Sequence, residues 1–341
     1  MSIEAWALAH ATHRSCTSTE FMYDDMASQS GRSLPVVYRE FDLGRASDWH
    51  DEGCILDFFC GVGAKDARVL DFGPGDGWPS LRIAPFVAEV VGVDTSERPI
   101  HACEANAVRL GIENATFLST RAETCLPFDD DSIDGITAAS SIEQTPDPLQ
   151  TLAELFRVLR PGGKLRLSYE GLRRYAGGQE RIGWIGAGKA GAVVDLYDRD
   201  LEAQSARMIR VCTTIDRETA ARRLDVPANG QFALDRLSVG RLERLEAAID
   251  EVRVCRLRHP GGVSFIELCE QAGFNATGTH SGAAVARNLF ASPTRRYRPA
   301  DHAGLTEYLL PIIDSTVTLE APLHSDPWIT AVKPPQVGRS G

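Results

Sequence analysis

The stretch ARVLDFGPGDG, Ala67–Gly77, decides the fold. Val69, Leu70 and Phe72 form a short apolar run, as a strand buried on both faces does. Asp71 lies near its end, and Gly73, Gly75 and Gly77 follow at alternate positions. Helix-competent sequence starts at Trp78–Pro79, where proline's missing N–H costs little in a first helical turn. Strand, glycine turn and helix start together make a ligand-binding loop. Glycine admits φ > 0 and close approach of the backbone, and the first helical N–H groups point outward.

Two cofactor classes use such a turn. The dinucleotide fingerprint G-x-G-x-x-G requires glycine at position 78. That residue is Trp78, so the fingerprint fails and the pattern is D-x-G-x-G-x-G. A pyrophosphate at a helix N-terminus is also disfavoured by carboxylates beside it, and this loop carries Asp71 and Asp76. Two acids suit a ligand with cationic centres. S-adenosylmethionine has two, an ammonium and a sulfonium.

Further blocks follow in order. Val90-Val91-Gly92-Val93-Asp94 reads as a second strand with a terminal acid. Ala122-Glu123, Leu126-Pro127-Phe128 and Asp131-Ser132-Ile133-Asp134 lead from a third loop into a fourth strand. Ser141–Pro148 and Leu155–Lys164 complete the series. Residues 67–170 resemble the class I S-adenosylmethionine-dependent methyltransferases, in particular the small-molecule branch with the ubiquinone and sterol enzymes. The resemblance implies a Rossmann-like α/β fold: a seven-stranded, mostly parallel sheet with helices on both faces. It also implies S-adenosylmethionine as cofactor and S-adenosylhomocysteine as product.

The chain has 341 residues and a formal net charge of −11. Nucleic-acid binders carry a basic footprint, and none is visible, so no nucleic-acid partner is expected. No apolar run approaches the roughly 20 residues of a membrane span. MSIEAWALAH lacks a basic start and a long apolar core, so it does not read as a signal peptide. These features point to a cytoplasmic protein. Eight cysteines are scattered with no C-x-x-C, which reads as free buried thiols.

Four segments are expected. Residues 1–64 form an N-terminal helical lid, with helices at 20–27 and 49–59. Residues 65–171 form the cofactor core. Strands are read at 68–72, 89–93, 115–119, 133–138 and 164–169, and helices near 78–87, 97–110 and 147–159. Alternating strands and helices signal βαβ units, whose ligands bind outside the carboxyl ends of the strands. Residues 172–262 are an inserted α+β segment that covers the acceptor or forms a homodimer contact. Within it 177–191 reads as a mobile glycine-rich loop, and 192–197 and 207–215 as strands, with 198–200 beginning the connection of a hairpin. Leu234–Val252 reads as a helix with an apolar stripe. Residues 263–334 complete the sheet, with a helix over 264–272 capped by Ser264, strands at 275–280 and 328–333, and helices near 282–290 and 303–314.

Asp94, about 20 residues past the glycine loop, suits the ribose hydroxyls, and in the resembled family the equivalent acid holds both. Gly73, Gly75 and Gly77 would pass beneath the methionine part. Asp71 would set the loop or meet the ammonium, with Asp76 beside it and Thr95 flanking the adenosine. Arg121, Ala122 and Glu123 form the third loop. Arg121 stands where relatives carry an acid for the adenine amino group, so the backbone of Ala122 and the acid of Glu123 are the adenine candidates. Ser140, Ser141, Glu143 and Gln144 face the methyl end by resemblance. Gln144 stands where many relatives have histidine, leaving Glu143 as a base or a structural acceptor. Tyr23, in a segment resembling the family's lid, contacts the acceptor or packs a helix. Tyr169, Glu170, His259 and His280 lie at predicted strand ends. The insert holds Arg207, Arg210, Arg217, Arg222, Arg223, Arg236, Arg241 and Arg244, which suit an anionic acceptor or solvated faces with acidic partners.

The expected activity is in-line methyl transfer to a small-molecule acceptor, with no metal. The alternatives are an inactive cofactor-binding scaffold and a methyltransferase acting on protein or nucleic acid.

Overall fold

The computed structural model describes residues 1–15, 41–63, 65–95, 97–120, 125–145, 147–172, 175–188, 190–228, 231–292, 297–318 and 328–335. In chain order the first elements are α1 (Ile3–Ala9), β1 (His13–Ser15), α2 (Ala46–Val62), β2 (Arg68–Phe72), α3 (Ser80–Ile83), β3 (Glu89–Asp94), α4 (Glu97–Leu110), β4 (Ala115–Ser119), β5 (Ile133–Ala139), α5 (Pro148–Val158) and β6 (Leu159–Ser168). Then come β7 (Gln179–Ala187), β8 (Ala192–Asp200), β9 (Ser205–Thr213), α6 (Arg217–Leu224), β10 (Gln231–Ala233), α7 (Val239–Leu242) and β11 (Ile249–Arg258). The chain finishes with α8 (Gly262–Gln271), β12 (Asn275–Thr279), α9 (Gly282–Ala291), α10 (His302–Val317) and β13 (Trp328–Val332). They divide into two compact units.

The larger unit, Leu34–Glu170 with Gly262–Gly341, is built on a seven-stranded sheet of order β12-β13-β6-β5-β2-β3-β4. The pairs β6–β5, β5–β2, β2–β3 and β3–β4 are parallel, and β13 runs antiparallel to both neighbours. The mostly parallel α/β sheet read from the sequence is therefore present. Leu70 and Phe72 join a core with Leu152, Leu155 and Val158 of α5 and Phe265 and Leu268 of α8. Val69 joins a separate core with Val62 of α2 and Ile83 of α3. The central strands are thus covered on both faces, as parallel strands require. Asp147 caps α5 by accepting from the Gln150 N–H at 3.0 Å, and Pro148 fills the first helical position.

Arg166 on β6 and Asp57 on α2 are both fully buried and paired at 2.6 Å. Arg166 also donates to Thr279 and, at 2.8 Å, to Thr330. Asp57 accepts from the Gly282 N–H at 2.5 Å. Burial pushes the Asp57 carboxyl up, and Arg166 opposes that. One ion pair therefore ties α2, β6, β12, β13 and the start of α9 together.

The smaller unit, Met1–Ser33 with Gly171–Gly261, is a six-stranded sheet of order β1-β11-β9-β8-β7-β10. Trp6 of α1 packs in its core with Val194, Leu196, Ile209, Val211 and Leu224. Among the described residues before 64, 1–15 fall in this unit and 41–63 in the larger one.

Several local readings are corrected. Residues 177–191, expected to be a mobile loop, contain β7, paired with β8 on one side and β10 on the other. Its Gly183 is needed for packing, since a Cβ there would lie 2.2 Å from the Phe232 ring. The helix expected over 234–252 is a series of short turns followed by β11. Ser238 starts a fresh helix by accepting from the Arg241 N–H at 3.3 Å, and the alternating sequence after Ile249 pairs with β9. Leu234, Leu237, Leu242 and Leu245 are buried all the same.

The connection proposed at 198–200 is still strand, and the turn falls at 201–204. The helix near 78–87 is only α3 followed by a 3-10 turn at Ala84–Phe86, because Pro85 cannot donate to an α-helical ladder. The strand expected from 164 starts at Leu159. Ser264 does not cap α8 but lies inside it, buried. The helix expected at 20–27 lies outside the described residues.

Candidate functional site

The larger unit places the ends of β2, β3, β4, β5 and β6 at one edge of the sheet. At its centre is the glycine loop. Gly73, Gly75 and Gly77 have φ of 75°, 60° and 105°, a region that L side chains seldom adopt. The Gly77 N–H donates to Pro74 O at 2.9 Å, closing a turn with the positive φ at Gly75. The Gly73 N–H donates to Val93 O at 2.8 Å, which draws the loop against the end of β3 and so toward Asp94. A Cβ on Gly73 would sit 2.5 Å from Cβ of Ser141, whereas no described atom lies within 4 Å of a Cβ built on Gly75. The loop is packed against the sheet at Gly73 and open at Gly75.

Asp71 is fully buried. It accepts from the Ser80 N–H at 3.1 Å, from the Ser80 hydroxyl, and from Thr137 Oγ1 at 3.0 Å. Asp71 thereby ties the end of β2 to the start of α3 and to β5. Burial pushes its carboxyl up to about 6; Ser80 and Thr137 oppose this, and the Asp94 charge adds to it. Asp76 is also buried, at 5% exposure. Asp94 and Thr95 are half-buried at the end of β3. Two side chains of α4 reach the loop from behind: Cys103 Sγ donates to Gly75 O at 3.3 Å, and Asn106 Nδ2 to Asp76 O at 2.8 Å.

Next to the loop, Ser141 donates to Phe72 O at 2.6 Å. Ser140 has φ of 52°, a left-handed backbone on a residue with a Cβ, of the kind that clusters at functional sites. Its N–H donates to Ser168 O at 2.9 Å, and its carbonyl accepts from Gln144 Nε2 at 2.5 Å. Glu143 is 1% exposed and accepts from the Glu170 N–H at 2.6 Å, so it fastens the end of β5 to the end of β6. Tyr169 stacks on Phe265 with ring centroids 5.5 Å apart. His280 is exposed past β12, whereas His259 is buried in the smaller unit.

Tyr23, Arg121, Ala122 and Glu123 lie outside the described residues. Asp71, Gly73, Gly75, Asp76, Gly77, Asp94, Thr95, Ser140 and Glu143 all fall on the same sheet edge. Sequence reasoning missed Ser80, Thr137, Cys103 and Asn106. No motif marks them, and they are defined only by contacts across the fold.

The seven described cysteines are free, and no group of three metal-ligating side chains occurs among the described residues. No helix among them is long and apolar enough to cross a membrane. Four of the eight arginines singled out in the insert are ion-paired. Arg210 pairs with Asp195 at 2.7 Å, Arg241 with Asp225 at 2.7 Å, Arg217 with Glu218 at 3.1 Å and Arg207 with Glu4 at 3.7 Å.

Comparison with known proteins agrees with this geometry. Residues 70–167, from β2 to β6, match the family model described as a methyltransferase domain. Over 100 residues the chain is 37% identical to the uncharacterized methyltransferase YcgJ of Bacillus subtilis (strain 168), covering 29% of this chain and 39% of that protein. The YcgJ crystal structure aligns over 84% of this chain and 98% of its own at 18% identity, with a TM-score of 0.41. The 27-O-demethylrifamycin SV methyltransferase of Amycolatopsis mediterranei (strain S699) is 29% identical over 56% of this chain and 71% of its own. The tRNA 5-carboxymethoxyuridine methyltransferase of Escherichia coli (strain K12) is 28% identical over 43% of this chain and 55% of its own. The matches thus span about two-fifths to seven-tenths of these relatives' lengths. The glycine loop, the terminal acid and the strand order thus lie within or beside a stretch, residues 70–167, that is a methyltransferase domain.

Proposed function

We propose that this chain transfers a methyl group from S-adenosylmethionine to a small-molecule acceptor. The observation that carries the reading is the loop at the end of β2: packed at Gly73, open at Gly75, and drawn by the Gly73–Val93 bond against the end of β3, where Asp94 stands. The open side at Gly75 is a cradle that any side chain would fill, so the residues present fit the group. Asp94 would accept the ribose hydroxyls. Gly73, Gly75 and Gly77 would underlie the methionine end, Thr95 would flank the adenosine, and Ser140 would stand at the methyl end. Arg121, Ala122 and Glu123 would border the adenine.

When bound, S-adenosylmethionine supplies a methyl group already activated on a sulfonium. The chain's own task is to orient the acceptor and exclude water, and such alignment is worth roughly 7–11 kcal/mol. Asp71, Asp76 and Asp94 give the loop a negative field, which favours a cationic ligand over a pyrophosphate. Glu143 supports the site as a brace, since its carboxylate is buried and holds the Glu170 N–H. The net charge of −11 favours a small acceptor over tRNA. A cytoplasmic setting accords with this chemistry.

Asp94→Ala tests the reading. Two charge-assisted hydrogen bonds to ribose would be lost, so the Kd for S-adenosylhomocysteine should rise on the order of 100-fold with the thermal midpoint little changed. Unchanged affinity would remove Asp94 from the site.

A further inference from the structure

We infer that Cys103 and Asn106, on the helix behind the glycine loop, are positioning residues for the cofactor; the inference rests on the function proposed above. They stand one turn apart on one face of α4. They hold two successive carbonyls of the loop, Gly75 O at 3.3 Å and Asp76 O at 2.8 Å. Cys103 is fully buried within the cluster of Leu81, Ile100, Ala107 and Phe117, so its sulfur has a fixed place. Asn106 is half-buried at the rim of the same face. Neither side chain reaches the open space beside Gly75, which no described atom approaches within 4 Å.

The loop needs such holding because of its own sequence. Glycines at 75 and 77 admit both signs of φ, so the peptide planes between them can turn over at little cost. A peptide is planar and trans, so its C=O and the following N–H point opposite ways. With Gly75 O and Asp76 O turned toward α4, the N–H groups of Asp76 and Gly77 are turned away from it. Gly77's closes the turn on Pro74 O at 2.9 Å, and Asp76's lies on the side away from α4. A flipped plane would instead present a carbonyl oxygen there, where the carboxylate of the methionine end would be repelled. Cys103 and Asn106 select the orientation that presents N–H rather than C=O. Nothing in the D-x-G-x-G-x-G pattern supplies this selection, since the donors come from 28 and 30 residues away.

The test measures S-adenosylhomocysteine affinity by calorimetry and S-adenosylmethionine KM and kcat on one acceptor. The proteins are wild type, Asn106→Leu, Cys103→Ala and Cys103→Ser, each checked for thermal midpoint. Asn106→Leu keeps volume and removes the donor, and its Kd should rise about tenfold, the upper end for one hydrogen bond. Cys103→Ala should raise Kd about threefold, because a thiol is a weak donor. Cys103→Ser keeps a donor and should stay within twofold of wild type. In all three kcat should hold, so the change appears in KM. If Asn106→Leu does not fold, the Cys103→Ala and Cys103→Ser pair decides. A midpoint that falls while Kd stays within twofold of wild type would overturn the inference, leaving the two residues as packing only. If wild type itself binds no adenosyl ligand, the proposed function fails and takes this inference with it.

Discussion

Alanine at Gly75 and at Gly73 should have opposite consequences. At both positions φ is positive, 60° and 75°, which costs an L residue about 1–2 kcal/mol. At Gly75 nothing more is added to the folded protein, because no described atom lies within 4 Å of the new Cβ. Gly75→Ala should therefore fold with a thermal midpoint lowered by only a few degrees. The methyl would, however, stand where the ligand lies. Overpacking of that kind costs about 1–3 kcal/mol, or roughly 5- to 140-fold in Kd.

At Gly73 the new Cβ would meet Cβ of Ser141 at 2.5 Å. Gly73→Ala should thus cost about 2–5 kcal/mol of stability, and Ser141→Gly in the same chain should return the steric share. Urea unfolding and calorimetric titration with S-adenosylhomocysteine separate the two effects. Wild-type affinity in Gly75→Ala, or equal stability of the two alanine variants, would refute the reasoning.

Other expectations follow from the buried acids. Asp71 is pushed up to about 6 from 3.8, so the folded state holds its proton more tightly than the unfolded chain. That contribution, about 3 kcal/mol at 1.36 kcal/mol per unit, is fully present below pH 4 and is lost as pH rises through about 6. In Asp71→Asn this decline should vanish; matching urea-midpoint profiles between pH 4 and 7 for both proteins would contradict it. Asp57→Ala leaves Arg166 buried without its partner and should cost about 3–5 kcal/mol, most of it recovered in Asp57→Leu with Arg166→Met, as urea unfolding will show. Glu143→Gln keeps an acceptor for the Glu170 N–H, so turnover should stay within a few-fold of wild type. Loss of turnover with cofactor affinity intact would instead make Glu143 a base.

The parts legible in the sequence are those set by neighbours along the chain. Val69–Phe72 with Gly73, Gly75 and Gly77 had to be strand and turn, and Asp147-Pro148 had to start a helix. The order of strands and helices then fixed which loops share an edge. What was not legible depends on distant partners. The acidity of Asp71 is local and left two roles open, but its partners Ser80 and Thr137 come from α3 and β5 and were not marked. The sequence left Glu143 as a base or a structural acceptor, and the bond it takes from the Glu170 N–H depends on the distant end of β6. Glycine density at 177–191 suggested mobility, yet Gly183 is there because Phe232 leaves no room for a Cβ. The apolar spacing over 234–252 fits a helix equally well, and only pairing with β9 shows that Ile249 begins a strand.

The most direct measurement is parallel calorimetric titration of the purified protein with S-adenosylmethionine, S-adenosylhomocysteine, NAD and NADPH. The loop's negative field, its open side at Gly75 and the acid at the end of β3 predict micromolar binding of the two adenosyl ligands and none of the nicotinamide pair. Binding of a nicotinamide cofactor, or of none of the four once any co-purified ligand is removed, would contradict the account.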